Sequence, residues 1–91
     1  MAVYNVSYDL VKAGQDYDGL IKELKNSDSW WHYLGSTWLI ATNETASQLI
    51  TRLKPYIDDN DNILIIEVVN SKAGWLPQEA WDWINQYVTR Y

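Results

Sequence analysis

Along Ala2 to Leu10, AVYNVSYDL, apolar and polar positions alternate. Tyr4, Val6, Tyr8 and Leu10 share one side of a strand, and Val3, Asn5, Ser7 and Asp9 share the other. The second side is mostly polar, which fits a sheet with one covered face. The period then changes. After a short loop, Lys12 to Gln15 with Gly14, Asp16 is placed to cap a helix that carries Tyr17, Leu20, Ile21 and Leu24 on one stripe. Gly19 inside that stripe either weakens the helix by about 1 kcal/mol relative to alanine or marks a close backbone contact. The helix fades near Asn26 to Ser29.

Trp30 to Leu34 and Thr37 to Thr42 are expected as two antiparallel strands, joined at Gly35-Ser36 by a type II′ turn. Thr45 and Gln48 form a capping box at the head of a second helix, whose stripe is Ala46, Leu49, Ile50, Leu53 and Ile57; Pro55 stops its regular part near Lys54. Beyond the polar turn Asp58 to Asn62, the β-branched run Ile63 to Val69 looks like a strand covered on much of both faces, interrupted by Glu67. Asn70 to Gly74 is a loop. Pro77 then suits the first position of a last helix bearing Ala80, Trp81, Ile84, Tyr87 and Val88.

The order βαββαβ plus a helix predicts an α+β domain of ferredoxin-like type: a four-stranded antiparallel sheet with two helices on one face and a C-terminal helix from about residue 77. Right-handed crossovers put the first two helices together and leave the other face open. The C-terminal helix or a second copy of the chain is expected to cover it.

Ninety-one residues suit one domain, residues 1–91. Without cysteine there are no disulfides, thiolate metal sites or cysteine nucleophiles, and no apolar run approaches the ~20 residues of a membrane span. No secretory leader is visible, so a cytoplasmic location is expected. The formal charge is −5, and Lys12, Lys22, Lys25, Arg52, Lys54, Lys72 and Arg90 are scattered, which weighs against nucleic acid as a partner. Six Trp and seven Tyr with no Phe are rings with polar tips, suited to partly buried positions and to self-association.

Three short motifs carry a resemblance: Tyr8-Asp9 closing the first strand, Gly35-Ser36-Thr37-Trp38-Leu39 leading into the third, and Asp61-Asn62-Ile63-Leu64-Ile65-Ile66 opening the fourth. Over roughly Val3 to Val69 the chain resembles the small CRISPR-associated spacer-acquisition subunits, the related virulence-associated protein D nucleases and the SinR-like bacterial proteins. The resemblance implies a homodimer formed through the sheet and the C-terminal segment. It also implies either an architectural adaptor or a magnesium-dependent nuclease, with Asp9 at the position of the nuclease aspartate. Leu10 to Gly14 lacks the arginines common in that group, and the third helix with Trp81 and Trp83 points towards its SinR-like members.

Asp9 is thus the candidate catalytic and metal residue, because paired carboxylates across a dimer axis can hold magnesium. Its plain alternative is a turn cap. His32 is the sole histidine and the default acid or base, but it lies among Trp30, Trp31 and Tyr33 on a strand that the expected sheet order separates from the first. Trp30, Trp31, Tyr33 and Trp38 could stack on bases, yet no cation lies between Asn26 and Arg52, and packing or an interface suits them better. Trp75, Trp81 and Trp83 join them as expected interface residues. Asp58, Asn60 and Asn62 imitate a calcium loop, but Ile63 and Val69 stand where glycine and glutamate belong. The expected function is a small homodimeric protein-interaction or adaptor domain with no cofactor and a possible protein partner. The alternative is a nuclease using Asp9 and magnesium at the dimer interface.

Overall fold

The computed structural model describes residues 1–10 and 17–89, so the loop Lys12 to Gln15 and the expected cap Asp16 lie outside the described residues. Within them the chain forms β1 (Ala2–Asp9), α1 (Asp18–Lys25), β2 (Ser29–Leu34), β3 (Thr37–Thr42), α2 (Ala46–Leu53), β4 (Asn62–Glu67) and α3 (Gln78–Tyr87). The four strands make one antiparallel sheet in the order β2-β3-β1-β4. β1 is a central strand, with Val6 opposite Trp38 on one side and Ile65 on the other.

The alternation in β1 sorts its residues between two apolar layers. Ala2, Tyr4 and Val6 join Trp38 and Ile40 under Leu20 and Leu24 of α1 and Leu49 and Leu53 of α2. Each fully buried leucine contributes roughly 1.5–3 kcal/mol by leaving water. The rings that enter this layer bring partners for their polar tips. The Tyr4 hydroxyl donates to the Glu44 carbonyl at 2.8 Å, and Trp38 Nε1 donates to the Tyr8 hydroxyl at 3.0 Å.

α2 begins at the expected capping box: Thr45 Oγ1 accepts from the Gln48 amide, and the Gln48 side chain accepts from the Thr45 amide. It yields to a single 3₁₀ turn, Lys54–Tyr56, at Pro55, which has no amide hydrogen to continue the ladder. A Cβ on Gly19 would fall 2.7 Å from the Tyr56 ring, so this glycine marks a close approach.

On the opposite face α3 covers Val3, Leu39 and Ala41 with Ile84, flanked by Trp31, Leu76, Trp81, Trp83 and Tyr87. Trp83 Nε1 donates to Ser29 Oγ at 3.0 Å and ties α3 to the start of β2. Pro77 stands one residue before the first helical position, as the N-cap.

Two local expectations are corrected. β4 is an edge strand rather than one covered on both sides: Ile63 and Ile65 pack inwards, whereas Leu64 and Ile66 are 59% and 57% exposed. The reason is where α3 lands, since it packs on β1, β2 and β3 and leaves β4 bare on that face. Gly35 does not adopt the left-handed conformation that a type II′ turn needs. An irregularity in β2 between Trp31 and Leu34 adds local twist before the turn instead.

Candidate functional site

Strand pairing places Leu34, Thr37, Ser7 and Leu64 in one row straight across the sheet, from β2 through β3 and β1 to β4. The row beneath it runs Trp31, Leu39, Asn5 and Ile66. Cross-strand partners point the same way, so both rows lie on the face that α3 shares. α3 closes over Leu39 and Trp31 but stops short of the first row. The result is a half-covered sheet face with Leu34, Leu64 and Ile66 at its margins and a polar middle. There the Ser7 hydroxyl donates to Asn5 Oδ1 at 2.7 Å and lies 3.2 Å from Thr37 Oγ1.

Asp9 sits at the rim of this open half, opposite Asn62 and exposed. With Ser7, Asn62 and Leu64 it borders a shallow hollow of about 300 Å³. One carboxylate, one amide and one hydroxyl are a sparse donor set for magnesium, which binds through one or two carboxylates and keeps several waters. Among the described residues, no three His, Cys, Asp or Glu side chains gather closely enough to hold a metal ion. Among the described residues no second carboxylate borders this hollow.

His32 is on the far side of the sheet from Asp9. Its ring stacks on Trp38 at 3.8 Å between centroids, and Nε2 donates to the Gly35 carbonyl at 2.6 Å. Both contacts serve the β2–β3 hairpin. They place the imidazole across two strands from the aspartate, since β3 separates β2 from β1.

The seven rings expected at an interface divide three ways. Trp38 is 1% exposed and belongs to the interior; its place on an expected interface is corrected by its burial under α1 and α2. Trp30 stays at the surface on the α1 side, tilted against Trp38 at 5.3 Å, with Lys25 Nζ 5.2 Å from its ring centroid. This cation–π contact was not legible in the sequence, because the cation comes from α1 rather than from β2. The remaining five belong to the α3 face. Trp31 and Tyr33 stack at 5.5 Å, Trp81 and Trp83 flank Ile84, and Trp75 stands in the loop before α3, wholly exposed.

Two clusters outside this face are structural. Asp61 accepts from the Tyr17 hydroxyl at 3.0 Å and from the Asp58 amide at 2.8 Å, so the acidic turn is closed by its own chain. Arg52 joins Glu23, Ser27 and Glu44 between α1 and α2. Among the described residues no helix is long and apolar enough to cross a membrane. No protein-family model matches the chain, and no solved structure matches it significantly.

Proposed function

We propose that this chain is a small homodimeric protein-interaction or adaptor domain of ferredoxin-like topology, akin to the SinR-like proteins. Its docking surface is the open half of the α3 face. One observation carries this reading: Tyr33, Leu34, Leu64, Ile66 and Trp75 are exposed at 60, 49, 59, 57 and 100% on that face and its margins. Apolar groups gathered in this way mark association surfaces, because covering them removes apolar area from water. The formal charge of −5 and the dispersed cations favour a protein partner over a phosphate backbone. Sedimentation equilibrium at micromolar concentration tests the reading. The expected result is twice the chain mass, and a strictly monomeric profile overturns it.

The second reading, a magnesium-dependent nuclease, draws on Asp9 at the rim of the same open face, where a symmetric dimer could bring two carboxylates together. Cleavage of RNA or DNA that requires magnesium and disappears in Asp9→Asn would establish it. Equal cleavage by both proteins would discard it.

A further inference from the structure

Trp75 is 100% exposed, although tryptophan side chains are highly buried on average and each withdraws about 150–250 Å² when covered. Close to it in the chain, between α3 and the sheet, lies a cavity of about 150 Å³ whose walls include Trp31, Leu34, Leu39, Leu76, Trp81 and Ile84. A hollow of that volume, open on one side, is the size that takes the six-membered ring of an indole and leaves the five-membered ring at its mouth. Asn5, Thr37 and Lys72 also line it, and the first two offer oxygen acceptors for an indole N–H; Asn5 Oδ1 accepts one bond from Ser7 and retains a second lone pair. The chain therefore displays a ring and a ring-sized hole on the same patch, and its own Trp75 does not fill its own hole.

We infer that Trp75 of one copy seats in the cavity beneath α3 of a second copy and receives that copy's Trp75 in return. This inference rests on the homodimer reading above and names the contact that would hold the dimer. The spacing of the two features favours a two-fold arrangement. Ala73 and Leu76, which bracket Trp75, are part of the cavity wall, so the ring and the hole are neighbours. A patch holding both is self-complementary and suits an isologous pair, whereas separated features give a heterologous contact that closes into a ring or runs on as an open chain. Two exchanged indoles, the walls they cover and the adjoining Tyr33 and Leu34 bring the buried area to roughly 1,000 Å², the lower bound for a specific interface. The polar group Asn5, Ser7 and Thr37, from two adjacent rows, then lies beside the seated ring and remains hydrogen-bonded.

The test uses the full chain in four samples: wild type, Trp75→Ala, Leu34→Arg, and an equimolar mixture of the two variants. Trp75 and Leu34 are exposed at 100% and 49%, so neither change removes a core residue. Sedimentation equilibrium is expected to show a wild-type dimer and at least tenfold weaker association of each variant alone. The mixture should regain part of the affinity, because Trp75 of the Leu34→Arg chain can enter the open cavity of the Trp75→Ala chain. Acrylamide should quench Trp75 less in the dimer than in the monomer. If Trp75→Ala dimerises as tightly as wild type, or the mixture gains nothing, the exchange is overturned while the homodimer reading survives. A monomeric wild type overturns both, and a monomer with Trp75 shielded from acrylamide shows the ring in its own cavity instead.

Discussion

Arg52 divides its guanidinium among four partners that come from three parts of the chain. Nη1 donates to the Glu23 carbonyl at 2.6 Å and to the Glu23 carboxylate at 3.1 Å, while Nη2 donates to Ser27 Oγ at 2.9 Å and to Glu44 at 2.9 Å. The C-terminal turn of α1, the segment after it and the lead-in to α2 are thereby held by one side chain. The hydrogen bond from Arg52 is the main reason the Glu44 carboxyl lies below its usual range; partial burial opposes it, and Thr42 adds a second bond. For Arg52 burial is the largest influence and works against the charge, but the bonds to Glu44 and Glu23 outweigh it, so the guanidinium is held above its ordinary value. Arg52→Met should cost about 1–3 kcal/mol at neutral pH in urea unfolding, the range for charge-assisted bonds at a partly exposed site. The sign of the pH dependence follows from the depressed carboxyl. Its contribution is complete above the unfolded carboxylate pKa and is lost as pH falls through the lower folded value. The gap between wild type and variant should therefore narrow when the same titrations are repeated at pH 3, and a gap that widens there would refute this account. The raised Arg52 value has no effect in that window, because its stabilisation is lost only as pH rises through a still higher folded value. From the sequence Arg52 reads as one of several scattered cations, since its carboxylate partners stand 29 and 8 residues away.

At the scale of elements, what could be read in advance is what local chemistry decides. The reciprocal bonds of Thr45 and Gln48 are set by residues three apart, and the structure has them at 2.9 and 3.1 Å. Thr45→Ala should lower stability by about 1 kcal/mol, whereas Leu49→Ala, one turn later and fully buried, should lower it by about 2–5 kcal/mol. Thermal unfolding of the two variants separates a cap from a core contact; similar losses would mean that α2 is held differently from what its packing implies. The alternation of β1 and the end of α2 at Pro55 were legible for the same reason. The exposure of β4 was not. Ile63 to Ile66 is apolar on both sides, and only the position of α3 decides that Leu64 and Ile66 stay bare while Val3 and Leu39 are covered. Trp38 illustrates the opposite error. Its ring looks like its neighbours Trp30 and Trp31, but pairing with Val6 in mid-sheet turns it inwards. Asp9 at a strand end and an open face beside it are both legible in the sequence; how much of that face α3 covers is not, because it depends on where the last helix lands.

Across the whole molecule, the sign of the charge separates the two kinds of partner that the open face could meet. Each copy carries a formal charge of −5, and two copies in contact have centres about 25 Å apart, roughly twice the 13.2 Å radius of gyration. Coulomb repulsion between them is of order 1–2 kcal/mol at an ionic strength near 0.01 M, where the screening length is about 30 Å, and almost nothing near 1 M, where it is about 3 Å. Association through Leu34, Leu64, Ile66 and Trp75 owes its driving force to apolar burial, which added salt does not weaken. Dimerisation is therefore expected to tighten by roughly five- to thirtyfold from low to high salt. Binding to a phosphate backbone has the opposite signature, since released counterions make its affinity fall steeply as salt rises. Measured by sedimentation across a sodium chloride series, tightening supports an apolar interface between like-charged copies. Weakening would mean that complementary charges hold the pair, and the open half of the α3 face would lose its place as the contact surface.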